Sequence, residues 1–189
     1  MPEKTIYTIG HSTRSLPEFI GILKAHRITM MIDIRSIPRS RYNPRFDRDT
    51  LAEALVDAGI RYFHCSDLGG FRRPKKDTVN TAWSSRAFRG FADYMQTPEF
   101  SEAIGRVIGL AENDTVVLTC AEGNPFRCHR RLIADALVVR GIQVLHISTR
   151  RSAKPHTLTP FARPEGRRIT YPIPAALGTA GEVRQDLLE

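Results

Sequence analysis

The chain has 189 residues, 41% of them hydrophobic, and a net charge of +8 from 28 Lys plus Arg against 20 Asp plus Glu. That length suits one domain with a real core, and the composition excludes a disordered chain. No apolar run approaches the roughly 18 residues that span a bilayer, which excludes a helical membrane protein.

The N-terminus lacks a charged segment followed by an apolar one, so no secretory leader is expected and the expected location is the cytoplasm. Three cysteines, Cys65, Cys120 and Cys128, are an odd number without a Cys-x-x-Cys pair. They read as reduced thiols rather than a disulfide framework or a structural zinc site. Arginine supplies most of the positive charge, which favours bidentate contacts to phosphate or carboxylate. The expected partner is therefore an anionic ligand, with nucleic acid among the candidates and no membrane.

Taken in order, residues 6–9 form the first strand, broken by Gly10, His11 and Ser12. Ser15 and Glu18 have capping-box spacing, and Leu16, Phe19, Ile20 and Leu23 fall on one helical face. Residues 30–34 form a second, near-continuously apolar strand, as in a parallel sheet covered on both faces. Asp33 interrupts it. The loop that follows is rich in arginine, with Arg35 and Arg39 near its start, and Pro38 and Pro44 exclude a regular helix there. Thr50 and Glu53 mark the start of the next helix and Gly59 its stop.

Residues 60–65 form a third strand, and Phe71 to Ser85 read as a long surface loop of the length that serves as a lid. Phe88 to Met95 suggest a short helix, and Thr97-Pro98 opens another. Residues 115–119 form the fourth strand. Asn124-Pro125 caps the next helix, which places Cys128, His129 and Arg130 in its first or second turn, and Gly141 ends it. Residues 144–147 form the fifth strand. Beyond them the chain is rich in Arg and Pro.

Strands alternating with helices predict an α/β fold: a single three-layer domain over 1–150 with a mostly parallel sheet of about five strands. Residues 151–189 form an irregular basic C-terminal extension. Ligands of open parallel sheets bind outside the carboxyl ends of the strands, so the residues after each strand should converge.

That set includes His11, a proton acceptor or donor near neutrality. It includes Asp33 with Arg35, either a base and an anion clamp or a local ion pair. It includes Glu122, and Cys128 with His129 and Arg130, where a helix N-terminus attracts anions and favours a thiolate. Gly10, Ser12, Arg39 and Ser40 complete the expected binding set. A buried packing role is the competing reading for Cys128. None of these residues has diagnostic metal-ligand spacing, so no metal is assigned, and the cofactor is left open.

Cys120 and Arg127 have six residues between them, one more than the loop of cysteine phosphatases. Glu122 would oppose an anionic substrate there, and Pro125 removes an amide that should bind it.

In their order, Thr8-Ile9-Gly10-His11-Ser12, Asp33-Ile34-Arg35-Ser36-Ile37-Pro38-Arg39-Ser40, Leu68-Gly69-Gly70, Tyr94-Met95, Cys120-Ala121-Glu122, Cys128-His129-Arg130 and His146-Ile147 resemble the family called domain of unknown function 488. The resemblance implies that these are the family's motif positions. It carries no reaction or substrate.

Three functions are therefore expected to compete. The leading one is an enzyme acting on a phosphate-containing substrate, nucleic acid or nucleotide, at the C-terminal edge of the sheet. The second is a non-catalytic nucleic-acid-binding module using the arginine-rich loop with Tyr42 and Phe46. The third is a thiol- or metal-dependent redox protein using Cys120 and Cys128.

Overall fold

The computed structural model describes residues 4–39 and 42–173. Ser40 therefore lies outside the described residues, as do 174–189. The order of elements is β1 (Thr5–Gly10), α1 (Leu16–Ala25), β2 (Met30–Asp33), α2 (Arg48–Asp57), β3 (Arg61–His64), α3 (Arg86–Tyr94), α4 (Pro98–Leu110), β4 (Val116–Cys120), α5 (Arg130–Val138), β5 (Gln143–Thr149), β6 (Ser152–Pro155), β7 (Arg163–Glu165) and β8 (Arg168–Thr170). The chain is a single α/β domain with a mostly parallel sheet, as its alternating pattern predicts. No helix among the described residues is long and apolar enough to cross a membrane.

The main sheet has the order β3-β2-β4-β1-β5-β6. Every pairing from β3 to β5 is parallel, and β6 adds antiparallel to β5. Two apolar layers cover it. One packs α1 and α2 against the face bearing Ile9, Met31 and Val117. The other packs α3, α4 and α5 against the face bearing Ile6, Ile32 and Leu118. The fully buried β2 and near-fully buried β4 explain their near-continuous apolar sequences.

This topology makes the site. β1 and β4 are neighbours, yet the helix after β1 lies on one face and the helix after β4 lies on the other. Their connecting loops part at the carboxyl edge and leave a crevice, which is where open parallel sheets bind ligands. The amides of His11 and Ser12 donate to the carbonyls of Cys120 and Ala121 at 3.0 and 2.9 Å, so the two loops stay paired past the strand ends. Gly10 is required there: a Cβ on it would lie 1.8 Å from the Glu122 carbonyl oxygen.

The structure differs from the sequence reading in four places. Ser15 caps α1 through the Glu18 amide as expected, but α2 starts at Arg48 rather than after Thr50, with Asp47 at its N-cap. Asn124 caps only a single 3-10 turn over Pro125–Arg127; α5 begins at Arg130, so Cys128 precedes the helix. The 71–85 segment is not a free lid. Asn80 and Trp83 are buried, and the buried Asp93 carboxylate accepts from the Lys75 amide, Thr78 and Asn80.

Residues 152–173 are also more regular than their composition suggests. They add β6 and the β7–β8 hairpin, and they bury Ala162, Ile169 and Tyr171 in the larger core layer. The anchor is polar. Asp135 of α5 accepts from His156 Nε2 (2.8 Å), the Thr159 amide (2.9 Å) and Tyr171 OH (2.9 Å). Because a carboxylate only accepts, His156 Nε2 carries a proton. The chain of bonds continues to the sheet: His156 Nδ1 lies 2.9 Å from His146 Nε2, and His146 Nδ1 lies 2.7 Å from the Thr8 hydroxyl. Burial, then the neighbouring His156, hold His146 neutral by lowering its pKa to about 3.

Candidate functional site

A cavity of about 410 Å³ opens at the carboxyl edge. His11, Arg35, Cys120, Glu122, Cys128 and His129 contribute to its lining. An adjoining cavity of about 550 Å³ shares His11, Ala121 and Glu122 with it and continues to Tyr42, Asn43 and Arg45. A shallow depression at the β3 edge, about 630 Å³, is lined by residues such as Val56 and Phe63 and contains neither a thiol nor a histidine.

His11 stacks on Phe46, with ring centroids 4.3 Å apart and planes 8° from parallel. Its Nδ1 lies 3.0 Å from the Ser12 carbonyl, which can only accept, so Nδ1 carries the proton. Nε2 then presents a lone pair, is buried and has no partner. Burial lowers the pKa of the ring, against the opposing pull of the Ser12 carbonyl. Ser12 itself takes a positive φ of 52°, a strained backbone for a serine, at the bend that points the chain away from β1.

Asp33 and Arg35 are bound to each other. Asp33 Oδ1 accepts from Arg35 Nε at 2.9 Å and Oδ2 from Arg35 Nη2 at 2.6 Å, while Tyr62 OH donates to Oδ2 at 2.9 Å. Arg35 also donates to the Phe46 carbonyl at 2.8 Å. Burial works against the Arg35 charge, but the Asp33 hydrogen bonds outweigh it and raise its pKa. Asp33 is thus no free base: both of its oxygens are occupied, and the pair holds Phe46 and, through it, His11.

The three consecutive residues His129, Arg130 and Arg131 diverge. His129 enters the cavity. Arg130 turns inward, almost fully buried, and its Nη2 donates to the Glu122 and Gly123 carbonyls, so it braces the loop after β4 rather than a ligand. Arg131 donates to Thr159 and lies over the Trp83 ring at 5.2 Å. Among the described residues, the exposed cations at the cavity with no described side-chain partner are instead Arg39 and Arg127. Glu122 is exposed, and its Oε1 accepts from the Asn124 amide at 2.9 Å.

At the floor, the Cys120 and Cys128 sulfurs and a His129 ring nitrogen all lie within 4.8 Å of one another. Cys128 Sγ is 3.7 Å from His129 Nδ1. His129 Nε2 lies 3.0 Å from the Leu68 carbonyl and must donate to it, leaving Nδ1 for the sulfur. Gly70 passes so close that a Cβ would sit 2.7 Å from Nδ1.

The hydrogen bond from Cys120 lowers the Cys128 pKa well below the usual thiol range, with His129 and Arg130 adding to it against burial. Cys120 is pushed up by the same bond and by burial. In metal-free protein, Cys120→Ala should therefore move the pH profile of Cys128 alkylation upward, and by more than His129→Gln does. Site-resolved mass spectrometry reads this, and an unmoved profile in both variants would refute the thiolate assignment.

A family model, Domain of unknown function DUF488, matches residues 15–137. The chain belongs to the DUF488 family. No curated protein and no solved structure matches it. The matched span covers Asp33 to Arg130 of the site and stops short of the His146–His156 chain of hydrogen bonds.

Among the predicted site residues of this DUF488 chain, His11, Arg35, Arg39, Glu122, Cys128 and His129 line the cavity, and Ser12 lines its neighbour. Gly10, Asp33 and Arg130 support these residues from behind. The expected binding set leaves out Arg127, weighed only against the cysteine-phosphatase loop, and the apolar wall of Ile37, Phe71 and Phe88. The sequence signal was an aromatic directly after Gly69-Gly70, and the structure leaves that Phe71 81% exposed.

Proposed function

We infer that this DUF488 protein is an enzyme acting on a phosphate-containing substrate of the nucleotide class, bound at the carboxyl edge of the sheet. The observation that carries the reading is one cavity with an arginine rim, an apolar wall and a thiol–imidazole floor. Arg39 and Arg127 are exposed, uncommitted to any described partner, and suited to holding phosphate. Ile37, Phe71 and Phe88 offer a surface for a planar base. His11 Nε2 is the proton acceptor, kept unprotonated by burial. Cys128 and His129 form the electron-rich centre near which the reacting group lies. The reducing cytoplasm suits three free thiols.

The test is binding and turnover of a panel of nucleoside phosphates. The Arg39→Ala, Arg127→Ala double variant should lose about tenfold or more in affinity, consistent with charge-assisted contacts. His11→Gln should bind normally while turnover falls by about 10²-fold or more, the usual size of an acid–base contribution. Full turnover in His11→Gln, or unaltered affinity in the arginine variant, would overturn the reading.

One observation favours a nucleic-acid-binding module instead. Tyr42 is wholly exposed beside Arg45 in the adjoining cavity, as a base-stacking platform would be. In that case His11→Gln should change nothing, whereas Tyr42→Ala with Arg45→Ala should weaken single-stranded nucleic acid and flatten its salt dependence.

A further inference from the structure

We propose that Cys120, Cys128 and His129 are the three protein ligands of a thiophilic divalent ion of the zinc class, with the fourth coordination position open to the strand-end cavity. The proposal goes beyond the substrate reading and does not depend on it.

The three donor atoms lie within 4.8 Å of one another, and Cys128 Sγ and His129 Nδ1 are 3.7 Å apart. A tetrahedral zinc centre has bonds of about 2.3 Å to sulfur and about 2.0 Å to nitrogen, which sets its S···N edge at roughly 3.6 Å. The protein therefore holds that pair near the separation an ion would impose.

The orientation of the imidazole fits the same role. A metal-bound histidine turns one nitrogen to the ion and donates the other N–H to a carbonyl or carboxylate. His129 does this without an ion: Nε2 is fixed on the Leu68 carbonyl at 3.0 Å. The ring is further confined by Gly70, where a Cβ would come to 2.7 Å from Nδ1. The side chain is thus locked with its remaining nitrogen toward the two sulfurs.

The donor set and its access also suit a divalent ion. Two thiolates and one neutral imidazole balance the charge of a divalent ion and match the softness of zinc-class metals. Three protein ligands with an open fourth position are the arrangement of catalytic rather than structural zinc. All three ligands line the cavity that also holds His11. A water or substrate oxygen would take the open position beneath the arginine rim. Ligation proceeds as M²⁺ displacing the protons that the two sulfurs still carry, giving the dithiolate complex with those protons released to solvent and no change of oxidation state.

The spacing explains why sequence alone does not reveal this set. Cys120 ends β4 and Cys128 follows a 3-10 turn, so the ligands meet only because the intervening loop folds back. That loop is held by Arg130 on the Glu122 and Gly123 carbonyls.

The experiment is titration of the full-length, chelator-treated and reduced protein with Co²⁺, read by optical absorption. One equivalent should produce thiolate-to-cobalt charge-transfer absorption and the strong visible bands of a tetrahedral site, and Zn²⁺ should abolish both. Cys120→Ser and Cys128→Ser should each lose about half of the charge-transfer intensity, as expected when one of two thiolates is removed. His129→Gln should keep it and bind about tenfold or more weakly, a loss of the size caused by disturbing a ligand shell. Cys65→Ser, at a buried thiol elsewhere in the fold, should match the parent.

Far-ultraviolet circular dichroism checks the folding of each variant, and the parent titration decides the matter even if a variant fails to fold. Absence of charge-transfer absorption in the folded parent would overturn the proposal. So would undiminished charge-transfer absorption in folded Cys128→Ser, or a Cys120–Cys128 disulfide whose reduction brings no cobalt uptake. Because no nucleotide is present, a negative result here leaves the arginine and His11 tests to stand or fall by themselves.

Discussion

Arg35→Ala should destabilise the domain by about 3–5 kcal/mol, the cost of leaving a buried charge without its partner. Asp33 is fully buried and Arg35 nearly so, and two of the carboxylate's contacts come from the guanidinium alone. The Arg35 amide and Tyr62 would still reach Asp33, but neither carries positive charge. Arg35 also ties the Phe46 carbonyl, and Phe46 supports the His11 ring, so the loss reaches the site. Urea denaturation measures it as a lower midpoint at unchanged slope. The double variant Asp33→Asn, Arg35→Met removes both charges and should recover part of the loss. A decrease below about 1 kcal/mol in Arg35→Ala would show the pair to be incidental, as surface pairs are.

Asp135→Ala should be nearly as damaging and differ in character. Its carboxylate satisfies three buried donors, from His156, Thr159 and Tyr171. Each unsatisfied buried donor costs about 1–3 kcal/mol, so their combined loss amounts to several kcal/mol. All three lie beyond residue 155, so the variant should release that segment from α5. Limited proteolysis should then cut between β6 and Tyr171 at conditions where the parent resists. Asp135→Asn keeps one acceptor oxygen for His156 and Thr159, and its amide can donate to Tyr171. It should therefore cost much less than Asp135→Ala. Equal stability of the Ala variant and the parent would mean that apolar burial of Tyr171 alone anchors the segment.

The two predictions mark the limits of legibility. Asp33 and Arg35 are plain in the sequence as a charged pair at a strand end, and so is the choice between clamp and local ion pair. The choice itself is geometric: the guanidinium folds back onto its own carboxylate and closes both oxygens. Asp135, His156 and Tyr171 carry no such signal. Asp135 sits in an ordinary helical stretch, and its partners lie 21 and 36 residues away in a segment rich in Arg and Pro. A buried polar chain of that kind leaves no periodicity, because only its members, not their spacing, are constrained.

The cysteine stretch shows the same division. Strand, loop and helix are legible from the apolar run of β4, the Asn-Pro turn and the apolar face of α5. The place of Cys128 just outside α5 is not, because a 3-10 turn and the first turn of an α-helix share the same capping residues. That difference turns Cys128 back toward Cys120 and separates His129 from Arg130.

By itself, then, the sequence determined the α/β class, the parallel sheet and the carboxyl edge at which the polar residues gather. These follow from local apolar periodicity and turn chemistry, which act over a few residues. Only the tertiary structure decided which of those residues are spent on one another and which face the cavity. Asp33, Arg35 and Arg130 are committed to internal hydrogen bonds, while His11, Cys120, Cys128 and His129 line the crevice, His11 with an unpartnered ring nitrogen. The physical reason is that a buried polar group must find its partner wherever the fold brings one within about 3 Å, and that partner is set by packing rather than by sequence distance.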